Sequence, residues 1–282
     1  MRLLSLFLAA LSLGAQILSP IFFQPGNCPS GPVTGNLQGW YSADCMTAIS
    51  PCATSYADGH GFATNETWLD RSSNNNTLLI DFNWLTCVFK TNKINGLPAV
   101  SFGGPDGSGN CGWLASQWDV SATSWRIFAV YQSQSTSGLQ GLVGGNTLTM
   151  TPGTFKYVQN YVITTARQHG IHKTNVADVG EGTATADTNW HQLNVYFSNS
   201  ADQNTFVARL DRAADGSSTP GITVNTGDGG LKEMGIIKAN GIYGDPAIGR
   251  LAEILIYAGT GTLLSAGDVT TNETYLNCRY GL

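Results

Sequence analysis

Between Leu37 and Tyr257 the chain sustains no helical apolar period; its hydrophobic residues fall in short runs, each soon closed by Gly, Asn, Asp, Ser or Pro. Runs this short bury a face only as strands, and many strands joined by turns close into a two-sheet sandwich or a barrel. Strands are expected at residues 37–43, 77–81, 99–102, 125–132, 147–151, 156–162, 191–197, 205–211, 231–237 and 251–257. Leu193, Val195 and Phe197 alternate onto one face, as do Phe206, Ala208 and Leu210. In the last run Leu251, Leu255 and Tyr257 are expected to share a face with Glu253, with Ala252, Ile254 and Ile256 opposite.

One helix is expected, at the C-terminus. Ser265-Ala-Gly-Asp268 has the form of a capping box, Val269 and Leu276 lie seven apart on one face, and Gly281 follows the last turn. It is expected to pack across an end of the sandwich.

Charged residues make up 12% of 282, and Lys and Arg, 14 against 19 acids, are scattered singly. That leaves no basic footprint for nucleic acid or anionic lipid. The length suits one large β domain, expected over residues 36–282. Before it, residues 24–35 read as a Pro/Gly-rich linker and residues 1–23, "MRLLSLFLAALSLGAQILSPIFF", as an apolar segment. Arg2 followed by an apolar run suits a signal peptide, but cleavage after Ala15 would put Leu13 where a small residue is wanted. The competing reading is a retained anchoring segment; Gln16, Ser19 and Pro20 interrupt it as a membrane span.

Five stretches carry a resemblance: "LQGWYSAD", "TWLDRSSNNNTLL", "INGLPAVSFGG", "WRIFAVYQ" and the closing "IGRLAEILIYAGTGTLLSAGDVTTNETYLNCRYGL". Together they resemble the concanavalin A-like, laminin-G-type domain. The resemblance implies an all-β fold: a two-sheet antiparallel jelly-roll sandwich with a short C-terminal helix, preceded here by the extended apolar segment. In "WLDRSSNNN" the residues Asp70, Ser72 and Asn74 to Asn76 bond nearby backbone and tolerate left-handed conformations, so the stretch reads as a structured turn.

Six cysteines with no C-x-x-C pair and no Cys/His grouping at zinc spacing favour disulfides over metal. Cys45–Cys52 would close a short loop, Cys87–Cys111 would tie the segment before "NGLPAVSF" to the loop after it, and Cys28–Cys278 would join chain ends that a jelly roll places near each other.

Glycoside hydrolases share this fold, and retaining enzymes need two carboxyls about 5–5.5 Å apart. Laminarinase-like members supply them as Glu-x-Asp-x-x-Glu on one strand, a spacing absent here. Glu181 and Asp187 sit in a Gly/Thr-rich loop, and Glu253, alone in its strand, reads as a buried structural carboxylate. "GSGNCG" lacks the βαβ frame of a dinucleotide loop, and His169 and His172 lack a third ligand. No cofactor is expected, although the resemblance admits structural calcium at loop acids such as Asp58, Asp70, Asp106, Asp228 and Asp245. Trp113 and Trp118, in the expected loop after "GSGNC", are the candidate sugar-stacking residues.

A lone domain of this type behind an apolar stretch and a linker resembles bacteriophage virion proteins of the decoration, fibre or tail type. The resemblance implies a non-catalytic structural and adhesive protein at a virion surface. Its partners would be other virion proteins or its own copies, met through the N-terminal segment, and cell-surface glycans. The alternatives are a secreted carbohydrate-binding, lectin-like protein and, third, a glycoside hydrolase.

Overall fold

The computed structural model describes residues 28–63, 66–80, 87–103, 113–115, 118, 124–136, 140–144, 159–163, 170–173, 177–200, 203–218, 233–234, 237–239, 242–244, 247–260 and 262–282. The strands in chain order are β1 (Leu37–Ser42), β2 (Ala48–Ile49), β3 (Cys52–Ala53), β4 (Thr67–Trp68), β5 (Leu78–Ile80), β6 (Val88–Ile94), β7 (Leu97–Phe102), β8 (Trp113–Ala115), β9 (Ser124–Ser133), β10 (Gln140–Gly144), β11 (Gln159–Ile163), β12 (Gly170–Lys173), β13 (Ala177–Glu181), β14 (Trp190–Ser200), β15 (Gln203–Leu210), β16 (Ala213–Ser218), β17 (Glu233–Met234), β18 (Ile237–Ala239), β19 (Ile242–Gly244) and β20 (Gly249–Gly259). The helix is α1 (Ala266–Tyr280). The strand expected at 147–151 lies outside the described residues.

The expected two-sheet antiparallel sandwich forms. One sheet runs β16-β15-β14-β9-β20-β7-β6, and the other β13-β12-β11-β10-β17-β8-β5-β4. Along one edge of β20, β7 pairs with Gly249–Leu251, and β1 then takes over from Glu253 to Tyr257. The β6–β7 hairpin turns on Asn95 and Gly96, both at positive φ, the condition of a two-residue I′ turn.

The core lies between the sheets, with Trp68, Leu78, Leu142, Val143 and Met234 facing Phe89, Phe102, Trp125, Ile127, Leu193, Val195, Phe206 and Ile254. Each such side chain contributes about 1.5–3 kcal/mol. Gly39 is required in β1, because a Cβ there would lie 2.7 Å from the Tyr41 ring and 2.9 Å from Trp118 Nε1.

The helix does not cap an end of the sandwich. It lies across the outer face of the first sheet, burying Val269, Tyr275, Leu276 and Tyr280 against Phe128, Val130, Leu255 and Tyr257. Its caps are those expected: the Ser265 hydroxyl accepts from the Asp268 amide, the Asp268 carboxylate accepts from the Ser265 amide, and Gly281 ends the helix left-handed at φ 69°.

β20 feeds both cores, and its faces differ from strict alternation. The pairing with β9 slips between Leu251 and Glu253, so Ala252 joins Leu255 and Tyr257 on the helix side while Leu251 turns inward with Ile254 and Ile256. A bulge of one residue is the physical reason.

The described part of the expected linker is tied down. Cys28 is disulfide-bonded to Cys278 with Cα atoms 5.8 Å apart, the Val33 amide donates to Asn272 Oδ1 at 2.8 Å, and the Tyr257 hydroxyl donates to the Val33 carbonyl at 2.7 Å. Residues 28–35 therefore dock along the helix instead of hanging free; residues 1–27 lie outside the described residues. Cys45–Cys52 also forms, with Cα atoms 4.7 Å apart. Cys87 is disulfide-bonded as well, and Cys111, its expected partner, lies outside the described residues.

Candidate functional site

The turn 70–76 is built around one carboxylate. Asp70 is 1% exposed; its Oδ1 accepts from the Trp40 amide at 2.9 Å and the Ser72 amide at 2.8 Å, and its Oδ2 accepts from Ser72 Oγ at 2.7 Å and the Asn76 amide at 2.9 Å. Asn75 takes positive φ, and Asn76 Nδ2 donates to the Gln38 carbonyl at 2.8 Å. The loop is thereby clamped onto β1, as the short polar side chains predict.

Arg71 is the residue this clamp presents. Its amide donates to the Trp40 carbonyl at 2.8 Å, and its guanidinium carbon lies 3.8 Å above the centre of the Trp40 ring. The ring face attracts the cation without giving it a hydrogen-bond acceptor. Nε and Nη1 are buried and unpaired. A cleft of about 300 Å³ opens here, lined by Thr34, Leu37, Trp40, Arg71, Ser72 and Ser73. The sequence marks this stretch as a turn and does not single out Arg71; a lone cation beside Asp70 in a chain poor in Lys and Arg is the signal it carries.

Behind Trp40 lies Glu253, 0% exposed. Its Oε1 accepts from Trp40 Nε1 at 2.6 Å and the Tyr275 hydroxyl at 2.8 Å; its Oε2 accepts from the Tyr280 hydroxyl at 2.7 Å and pairs with Arg279 Nε at 2.9 Å. Burial, reinforced by Glu253, pushes both tyrosines up, so they remain donors. Burial alone would lower Arg279, but Tyr280, Glu253, Tyr275 and Asp44 outweigh it and hold its pKa above the ordinary arginine value. The burial and hydrogen bonding expected of Glu253 are what the geometry shows.

A second carboxylate moors the helix. Glu273, 2% exposed, accepts from Asn194 Nδ2 at 2.8 Å and from Arg209 Nε at 2.7 Å. Nearby, His191 bridges two acids, with Nδ1 2.7 Å from Asp211 and Nε2 2.8 Å from Asp187. Burial opposes protonation of His191, but these hydrogen bonds outweigh it and raise its pKa.

Trp118 is 0% exposed and donates from Nε1 to the Tyr41 hydroxyl at 3.0 Å, so it belongs to the core and offers no face to a sugar. Trp113 lies in β8, a strand of the second sheet rather than a loop, and its side chain lies outside the described residues. Glu181 ends β13, and His172 lies in β12; His169, Asp106, Asp228 and Asp245 lie outside the described residues. Of the proposed calcium acids, Asp70 is committed as above, and Asp58 Oδ1 accepts from the Thr91 amide at 2.8 Å. Asp44, Cys45 and Cys52 cluster closely, but both sulfurs are in the disulfide and Asp44 pairs with Arg279.

No family model matches the sequence, and no curated protein matches it. Among solved structures, the chain resembles domain 4 of a GH43 extracellular arabinanase from Geobacillus stearothermophilus, in complex with arabinotriose. The identity is 15%, with 86% of this chain and 100% of that one covered and a TM-score of 0.56. A GH54 α-L-arabinofuranosidase soaked with a cyclic sulfate inhibitor aligns at 14% identity over 86% of this chain and 62% of that one, TM-score 0.53. An arabinofuranosidase complexed with arabinofuranosyl-α-1,2-xylobiose aligns at 15% identity over 78% and 52%, TM-score 0.52. At these identities the likeness is one of fold.

Proposed function

We propose that the protein is a non-catalytic glycan-binding β-sandwich acting outside the cell or on a particle surface. The observation that carries this reading is the contrast around Trp40. Glu253 is spent on the Trp40 indole and on three donors of the helix, while the cleft that the same indole lines stays open. Two of the similar folds were solved with oligosaccharides bound, which supports a sugar as ligand. The disulfides support an oxidising setting. Among the described residues no helix is long and apolar enough to cross a membrane.

The test is a binding screen of the purified chain against neutral and acidic oligosaccharides, paired with an activity screen on β-glucans, galactans and alginate. Saturable binding without turnover is expected. Turnover that Glu253→Gln abolishes would overturn the non-catalytic reading.

The narrower reading, a virion decoration, fibre or tail protein, rests on residues 1–23 as an anchor. Deleting them is expected to leave a folded domain that no longer joins its particle. Native material beginning near Gln16 would replace that reading with the secreted one.

A further inference from the structure

We propose that the Trp40–Arg71 cleft recognises the carboxylate of an acidic sugar residue, with Arg71 as the specificity-determining group. This inference rests on the glycan-binding reading and narrows it to a ligand class.

Arg71 is a cation without a protein acceptor. Two of its nitrogens are buried and unpaired, and it makes no ion pair among the described residues. The acid next to it cannot serve, because Asp70 already accepts from two amides of its own loop, the Ser72 hydroxyl and the Trp40 amide. Arg71 lines the cleft with its hydrogen-bonding capacity unspent on protein, which leaves it to an anionic ligand. The Trp40 ring backs the guanidinium without accepting from it, and a carboxylate is the group that pairs most strongly with an arginine that has no acceptor of its own.

The rest of the lining says what carries that carboxylate. Thr34 and Ser73 offer hydroxyls, and Leu37 and the Trp40 ring offer an apolar wall, the mixture a pyranose presents in return. A cleft of about 300 Å³ is small for a ligand site and suits a single or terminal sugar rather than the middle of a polymer. The net charge of −5 does not steer anions in, but at physiological salt it is screened beyond about 8 Å, so selectivity arises at contact.

The experiment is calorimetric titration of the full chain with oligogalacturonate, its methyl ester, sialyllactose and arabinotriose. The unaltered protein is expected to bind at least one of the two free acids at least tenfold more tightly than the ester and arabinotriose; which acid it prefers distinguishes a uronate from a sialate. Arg71→Gln is expected to erase the preference, and Arg71→Lys, which keeps charge but not the fork, to retain only part of it. Equal binding of acid and ester, or an acid preference that persists in folded Arg71→Gln, overturns the inference while leaving glycan binding intact. Absence of binding to any of the four sugars overturns both. If Arg71→Gln does not fold, the acid and ester comparison on the unaltered protein decides.

Discussion

Arg279 reaches from the last turn of α1 to Glu253 in the middle of β20, with its Nε 2.9 Å from a carboxylate that is 0% exposed. The same guanidinium pairs with Asp44, so one side chain joins the helix, the closing strand and the turn after β1. Removing one member of a buried pair costs about 3–5 kcal/mol, because the other charge is left uncompensated. Arg279→Ala is therefore expected to lower unfolding free energy by about 3 kcal/mol, and Tyr280→Phe, which removes one donor, by about 1–2 kcal/mol. Urea denaturation measures both. An Arg279→Ala midpoint equal to that of the unaltered protein would show that the helix is held by apolar packing alone.

How much of this was legible in the sequence depends on how local its cause is. The helix caps were readable because Ser265, Asp268 and Gly281 act on backbone within one turn. The turn around Asp70 was readable for the same reason, as were the long strands whose alternation is sustained, such as Leu193 and Val195 against Phe206 and Ala208. Three features were not. The bulge at Ala252 depends on a neighbouring strand's register and leaves no local mark. Trp118 sits among turn-like neighbours and is buried only because Tyr41 and Gly39, almost eighty residues earlier, make room for it. The strands β12 and β13 carry too few apolar residues to announce themselves, since their backbone pairing supplies what the side chains do not. Arg71 belongs with these, because its importance lies in what it lacks.

The Cys28–Cys278 disulfide closes almost the whole chain onto the helix. Loop closure of this length predicts a contribution at the upper end of the usual range of about 2–5 kcal/mol. A Cys28→Ser, Cys278→Ser double variant is expected to fall in stability by that amount and to expose residues 28–35 to protease, whereas Cys45→Ser, Cys52→Ser should cost less because its loop is short. Equal losses in the two variants would contradict the loop-length argument.

His191 predicts a pH dependence with a definite sign. Its folded pKa lies above the unfolded value of about 6.5, so the protonated ring favours the folded state. That contribution is complete below about pH 6.5 and fades as the pH rises through the folded value. Thermal melts are expected to show stability declining on the alkaline side of this window, and His191→Gln should remove that decline. The opposing contribution comes from Asp187: burial works against its charge, but the Asn189 amide and His191 hold its pKa low, so its support is lost only as pH falls below about 4 through its folded value. A slope unchanged in His191→Gln would assign the dependence to other groups.

Asp70 is the point at which stability and recognition meet. Four donors converge on its two oxygens, two of them amides of the loop that follows and one the amide of Trp40, whose ring carries Arg71. Asp70→Asn keeps the shape but replaces one acceptor oxygen with a donor aimed at groups that are themselves donors. The loss is expected to be at least about 2 kcal/mol. Ser73→Ala, in the same loop but exposed, is expected to change stability by less than about 0.5 kcal/mol. Hydrogen exchange supplies the sharper reading: in Asp70→Asn the amides of Ser72 and Asn76 should exchange rapidly while those in the centre of β20 remain protected. That pattern would mean that the loop releases from β1 as a unit, taking the Arg71 stack with it, so sugar binding should weaken in step with amide exposure. If the loop amides stay protected, or binding survives their exposure, then Asp70 does not position Arg71 and the cleft is held by Trp40 alone.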